Sequence, residues 1–458
     1  MDVKQLEYYM QPGRRCHMVG IGGVSMSPLA QVLQLAGLIV TGSDMNEGSS
    51  VEHLRSLGIR VDIGHRAENV AGADFIIRTA AARDDNVEIG AAREAGIPVF
   101  ERAQGWGYIM RRYRNALCIA GTHGKTTTTS MLTHILMEAG KDPTVMIGGT
   151  LPMLGSGYRV GEGDTIVLES CEYYNSFLNF SPTVAVILNV EADHLDFFRD
   201  LDDVKSSFRR FASLVPEETG TVVANADDPN TVDVVRGIGR KVVTFSCAGE
   251  GDMTSDRVEI INGCYRFDAA YRGAIYAHIE LRIPGIHNMK NALAACAAAA
   301  VLGIPASAVE RGLASFTGAG RRFEYKGEYA GAKIYDDYAH HPGELHALFD
   351  AVAGLGYRRV LAVFQPHTYS RTKALFDDFV NELSRPDKVL LAEIYAAREK
   401  NTIGISSADL AERIPNACFC PTFEDAEALL RREASPGDLI LTIGAGDVYR
   451  IGEALVRK

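Results

Sequence analysis

Gly121-Thr122-His123-Gly124-Lys125-Thr126 carries the residue types that a nucleotide phosphate needs. Gly121 and Gly124 leave no Cβ in the way, so backbone N–H groups can close on phosphate oxygens, and a following helix adds the positive end of its dipole. Lys125 is suited to bridge the terminal phosphates, and the Thr126 hydroxyl to ligate Mg²⁺. A longer form of this loop would have Gly where Ile119 stands, so this is a short variant. Two acidic groups accompany it: Glu169 and Glu172 in LESCEYYNSFL, and Asp193, His194 and Asp196 in ILNVEADHLDFF. Both follow apolar runs and supply candidate Mg²⁺ ligands and their hydrogen-bonding partners.

The elements that must position these groups alternate between strand and helix. Leu117 to Ala120 reads as a buried parallel strand and Thr126 to Glu138 as the helix after the loop. Upstream, Arg14 to Val19, the turn Gly20-Ile21-Gly22-Gly23, a helix from Ser27 to Ala36 and a strand from Leu38 to Thr41 form a Rossmann-like βαβ unit. It ends at Asp44, where a ribose hydroxyl is usually held. Ser25 stands where a dinucleotide fingerprint has its third Gly, which favours a different diphosphate over NAD. Further strands are expected near residues 60–63, 75–79 and 98–100, then at 165–168, 184–188, 221–224 and 241–245, with helices at 204–214 and 288–302. Residues 257–282 read as a peripheral antiparallel hairpin. A last alternating series has strands at 333–336, 359–364, 388–392 and 438–442. Asp336, Asp337, Tyr338, His340 and His341 follow the first of these and Gln365, Pro366, His367 and Arg371 the second, at the strand ends where ligands gather. The fold class expected is α/β in three domains: a Rossmann-like unit over 1–107, a central phosphate-loop unit with a mostly parallel sheet over 108–318, and a C-terminal Rossmann-like unit over 319–458.

A chain of 458 residues has room for about two to four domains. Its net charge of -11 argues against a nucleic-acid partner, which needs a basic surface. MDVKQLEYYM lacks the apolar segment of a secretory signal, and the longest apolar run, Ala292 to Gly303, is too short to cross a bilayer, so no membrane association is expected. Eight cysteines without zinc spacing suit reduced thiols in a cytoplasm.

Taken together, GTHGKTTTT, the E-x-x-E before S-F-L, ILN-x-E-x-DHLD, PG-x-HN-x-x-NA, G-x-RRFE, DDYAHHP and FQPHTYSRT resemble the Mur ligase family in family order, from about Gly20 to the C-terminal GAGD. FQPHTYSRT is similar to the branch that adds a single amino acid. The resemblance implies a cytoplasmic enzyme, monomer or weak homodimer, that uses ATP and Mg²⁺ to join L-alanine to the lactyl carboxylate of UDP-N-acetylmuramate through an acyl phosphate. The alternative within the family attaches a preformed tripeptide to the same nucleotide sugar. By resemblance, Gly20, Gly22, Gly23 and Ser25 hold the UDP diphosphate, with Asp44, Ser50, His65 and Thr79 around the uridine. Gly121, Thr122, Gly124, Lys125, Thr126 and Thr127 hold the ATP phosphates; Asn288 and Asn291 meet adenine, Asp337 the ribose and Arg322 the γ-phosphate. Thr126, Glu172 and His194 ligate magnesium, while Tyr338, His340, His367 and Arg371 shape the amino-acid end, with His340 orienting or deprotonating the amine.

Three departures from the family pattern stand out. Ser170, Cys171, Tyr173 and Tyr174 interrupt an acidic segment that more often reads E-A-D-E-S-D. Phe208 falls where many relatives carry a carbamylated Lys, with Lys205 one turn earlier, and no carbamate is expected. Thr368 replaces a frequent Arg. Two other classes remain open on residues alone: an NAD-linked oxidoreductase built on the first βαβ unit, and a nucleotide-gated binding module without chemistry.

Overall fold

The computed structural model describes residues 3–397 and 399–457, arranged around three sheets. The first holds β1 (Arg15–Val19), β2 (Ile39–Asp44), β3 (Arg60–Ile63), β4 (Phe75–Arg78) and β5 (Val99–Glu101) in the order β3-β2-β1-β4-β5, all parallel. The order reverses between β1 and β4, which opens a crevice at their C-terminal ends beside Gly20 to Gly23. Met18, Phe75 and Ile77 are wholly buried, as expected of strands covered on both faces.

The second sheet has ten strands: β6 (Asn115–Ala120), β7 (Thr144–Leu151), β8 (Ser156–Arg159), β9 (Thr165–Glu169), β10 (Val184–Ile187), β11 (Thr221–Asn225), β12 (Lys241–Ser246), β13 (Met253–Ile261), β14 (Cys264–Tyr271) and β15 (Ala274–Pro284). Their order is β15-β14-β13-β12-β11-β10-β6-β9-β7-β8. β6 lies between β10 and β9 in parallel, Ile119 opposite Glu169 and Ala120 opposite Ile187, so three chain segments leave the sheet together. The antiparallel region is larger than the expected hairpin: β13, β14 and β15 form a three-stranded extension of this sheet, and β7 with β8 adds a second antiparallel edge. On the helical layer, all the alanines of Ile286–Val301 but Ala300 are buried, and Gly312 meets the backbone of Ile135, where a Cβ would lie 2.6 Å from the Ile135 Cα.

The third sheet contains β16 (Glu324–Tyr329), β17 (Ala332–Asp337), β18 (Arg359–Phe364), β19 (Lys388–Ala392), β20 (Ala417–Cys420) and β21 (Asp438–Ile443), ordered β16-β17-β21-β18-β19-β20. Only β16 is antiparallel. The N- and C-terminal units are thus Rossmann-like and flank a central ATPase-like unit. β7, β8, β16 and β20, whose residues give no apolar alternation clear enough to read, are additions to the expected strands. Among the described residues, no helix is long and apolar enough to cross a membrane.

The helix Arg102–Met110 contains Gly107 and presses it onto the turn at Asn179. A Cβ on Gly107 would stand 1.8 Å from the Asn179 carbonyl oxygen, a backbone atom that cannot rotate away. Gly107→Ala should therefore destabilise by about 1–3 kcal/mol. Gly90→Ala, in the helix Val87–Glu94 with open space around it, should stabilise by about 0.4–1 kcal/mol. Urea unfolding of the two variants gives the comparison.

Candidate active site

Gly121 (φ +148°) and Gly124 (φ +84°) turn the chain from β6 into the helix Lys125–Glu138. The Lys125 ammonium folds over this turn, donating to the Gly121 and Thr122 carbonyls and, at 3.1 Å, to Glu172. Burial opposes its charge, but Glu172 outweighs burial and holds its pKa above the ordinary lysine value. The Thr126 hydroxyl donates to Glu169 at 2.9 Å, and that carboxylate also takes the Gly148 N–H at 2.6 Å. Glu172, Asp193 and His194 form a second acidic cluster, with one possible ligand atom from each within 4.8 Å of the others. His194 has φ +53°, and the Tyr173 ring lies against its imidazole at 4.3 Å and 20° while its hydroxyl donates to Asp196. These two groups of oxygen donors and one imidazole suit Mg²⁺ beside a phosphate loop.

The C-terminal unit closes over the same loops. Arg371 donates to Asp193 at 3.0 Å across the interface, and its second nitrogen lies 3.2 Å from His367 Nδ1. Burial depresses His367 to about 4, so it is a neutral acceptor there. His123, in the phosphate loop, stands between Glu191 at 3.3 Å and Glu344 at 3.4 Å. Burial would lower its pKa, but the two carboxylates prevail and raise it to about 9, making it a cation. Glu344 also accepts the His340 N–H at 2.9 Å and lies 4.0 Å from Arg322. His340 is kept neutral by burial, and its Nδ1 sits 3.0 Å from the Tyr338 carbonyl, which can only accept. The proton is therefore on Nδ1, and Nε2 keeps a lone pair.

Between the central and C-terminal units lies a cavity of about 350 Å³. Gly124, Thr126 and Thr127 line one end, Asn288 and Asn291 the wall, and Arg322 and Asp337 the C-terminal side. Asn288 donates to the Pro284 carbonyl at 2.6 Å, and Asn291 packs against Gly124. Arg322 spreads over the Tyr338 ring 5.0 Å away. Asp337 accepts N–H groups of Phe323 and Ala339, both at 2.8 Å, yet burial pushes its carboxyl up to about 6.

The remaining expected residues lie apart, at the first sheet's crevice. Thr79 packs onto Gly20, where a Cβ would lie 2.5 Å from its methyl, and Asp44 accepts the Gly22 N–H at 2.9 Å. Gly23 precedes the helix Met26–Leu35, and Ser50 sits in the first turn of Ser49–Ser56. The Ser25 hydroxyl is turned away from the crevice, toward Met146 of the central unit, and receives the Trp106 N–H at 3.1 Å. His65 is tied to buried Glu88 at 2.9 Å. Lys205 pairs with Asp233, while Phe208 is buried edge-on to Phe177. Sequence reasoning passed over His123, Glu191, Glu344 and Glu88. His123 lies inside GTHGKTTTT and Glu191 is the fixed Glu of ILN-x-E-x-DHLD, though neither was given a role, and His341-Pro342-Gly343-Glu344 has the spacing of a helix capping box, which the structure forms; Glu88 had no local signal.

An added methyl at Gly124 meets both a left-handed φ and the Asn291 oxygen at 2.4 Å. Gly124→Ala should weaken ATP binding about tenfold or more by calorimetry, the scale of about 1–3 kcal/mol of backbone strain. Asp337 supplies a pH test. As pH rises from about 4 to 6 the unfolded chain releases this proton before the folded one does, so the native protein loses stability over that interval. Asp337→Asn should lack this fall in melting temperature between pH 4 and 6, although its single carbonyl oxygen satisfies only one of the Phe323 and Ala339 N–H groups, and it should bind ATP less tightly.

Family models match along the whole fold: the Mur ligase family catalytic domain over residues 15–114, the Mur ligase middle domain over 119–299 and the Mur ligase glutamate ligase domain over 321–446. The chain is 44% identical over 458 residues to a UDP-N-acetylmuramate–L-alanine ligase of Caldanaerobacter subterraneus, covering 99% of both, and 44% identical to that of Clostridium novyi, covering 96% of both. Among solved structures it resembles the UDP-N-acetylmuramate-alanine ligase of Thermotoga maritima (TM-score 0.79, 29% identity, 96% and 98% of the two chains). It shares its fold with a murein peptide ligase of Psychrobacter arcticus (TM-score 0.70, 24% identity, 97% and 98%). On these matches and on the loops that meet at β6, β9 and β10, the chain belongs to the Mur ligase family.

Proposed function

We propose that this protein joins L-alanine to the lactyl carboxylate of UDP-N-acetylmuramate at the expense of ATP, in the synthesis of peptidoglycan precursors, as a cytoplasmic monomer or weak homodimer. The observation that carries the reading is the cavity where phosphate-loop residues Gly124 and Thr126 face Arg322 and Asp337 of another unit. A site built from two units can hold ATP on one side and complete itself from the other. The unit up to about residue 107 would take the nucleotide sugar, that up to about 318 ATP, and the last the amino acid.

The lactyl carboxylate attacks the terminal phosphorus of ATP, the bond to the bridging oxygen breaks, and ADP leaves. The alanine amine then attacks the acyl carbon, and inorganic phosphate departs. Mg²⁺, which Thr126, Glu169, Glu172 and His194 are suited to hold, would draw charge from the phosphate oxygens. Lys125 and Arg322 offset the negative charge that spreads in the loose transition state. The free lone pair on His340 Nε2 can take a proton from the amine. Asn288 and Asn291 offer the polar edge for adenine and Asp337 an acceptor for a ribose hydroxyl, while Tyr338, His367 and Arg371 wall the amino-acid end.

Phosphate release from ATP and Mg²⁺ tests this directly, with UDP-N-acetylmuramate and each of alanine, glycine, serine or the stem tripeptide. Release should require the nucleotide sugar together with L-alanine; release with tripeptide alone would overturn the assignment. Glu172→Gln should cut turnover by about 10²-fold or more while ATP still binds.

A further inference from the structure

The first unit buries a charge that the ligation does not use. Glu88, on the helix Val87–Glu94, is wholly inside the protein, and among the described residues no Lys or Arg pairs with it. One carboxylate oxygen accepts from the Ser43 hydroxyl at 2.6 Å and from His65 Nδ1 at 2.9 Å. The other accepts from the Asn69 amide and lies 3.8 Å from His17 Nε2. Burial opposes its ionisation, but His17, Ser43 and Asn69 outweigh burial and hold it at about 2.

An ionised carboxylate only accepts, so the proton between it and His65 belongs to Nδ1. In the neutral imidazole that leaves Nε2 as the acceptor, and among the described residues Nε2 has no partner. Its side chain is 16% exposed. Asp44 ends β2, and His65 follows the next strand outward, β3. In a sheet of this order a nucleoside runs from the glycine turn across the end of β2, ribose at the acidic residue and base beyond it.

Resting on the nucleotide-sugar reading above, we propose that Glu88 is a positioning residue that fixes His65 with Nε2 as an acceptor for the N3–H of uracil. Cytosine carries a lone pair at N3, so two acceptors would face each other. The same buried carboxylate thus sets base selectivity without touching the ligand, and Ser43, bridging Glu88 and the imidazole at 3.0 Å, braces the ring.

Calorimetric titration of the full chain with UDP, CDP and N3-methyl-UDP tests the assignment. The native protein should prefer UDP over both by about tenfold or more, the scale of one hydrogen bond replaced by an unsatisfied or repelled acceptor. His65→Ala should erase the preference, and Glu88→Gln should shrink it, with the melting temperature reporting whether that variant folds. N3-methyl-UDP binding the native protein as tightly as UDP overturns the proposal without any variant. A preference lost in His65→Ala but intact in folded Glu88→Gln overturns the role of Glu88 and leaves the uridine site standing. UDP binding that neither Asp44→Ala nor His65→Ala weakens overturns the uridine site itself.

Discussion

Three parallel strands that end at one level govern this protein's chemistry. Hydrogen-bond register sets Ala120 opposite Ile187 and Ile119 opposite Glu169, so the segments after β6, β10 and β9 emerge side by side. None of those segments is regular structure, and none would hold its shape alone. What fixes them is the ladder beneath, together with cross-links such as the Asn189 amide to the His123 carbonyl at 3.1 Å and Glu191 N–H to the Thr122 hydroxyl at 2.9 Å. A loop that binds a phosphate must keep its N–H groups aimed without a ligand, and rigid strands on both sides supply that aim.

The charges of the cleft are already paired. Lys125 rests on Glu172, His123 on Glu191 and Glu344, and Arg371 on Asp193. Buried ions without partners would be costly, and these pairings meet the cost with side chains alone. A metal–nucleotide complex entering the cleft would exchange these partners: Glu172 and Asp193 would turn to the cation, freeing Lys125 for phosphate and Arg371 for the amino-acid end. Such an exchange moves few groups far, and it couples the central unit to the C-terminal one through Glu344 and Arg371.

Much of this could be read from residue order. The strands from β1 to β6 and from β9 to β12 are short, mostly apolar runs, and their positions agree with the expected ones to within a few residues. β7, β8, β16 and β20 could not be read, because Thr144–Leu151 contains two glycines and Glu324–Tyr329 is half polar; these edges depend on neighbours distant in sequence. In the site, Lys125, Glu172, His194, Arg322 and Asp337 were named from motifs, and the structure brings them around one cleft. Glu88, Glu191 and Glu344 were missed for a different reason. Each acts by holding another side chain, a relation that appears only when segments 23 to 221 positions apart meet.

The seams between the three units differ in kind. Between the first and second, Gly107 touches the Asn179 backbone, and Trp106, Ser25 and Met146 interlock within continuous packing. Between the second and third, the contacts at the cleft are ion pairs: His123 with Glu344, and Asp193 with Arg371. Side chains in an ion pair can exchange one charged partner for another, whereas backbone packed at contact distance can separate only by losing the contact. Partner exchange can therefore loosen the second seam one side chain at a time, while the first yields only by unpacking its backbone.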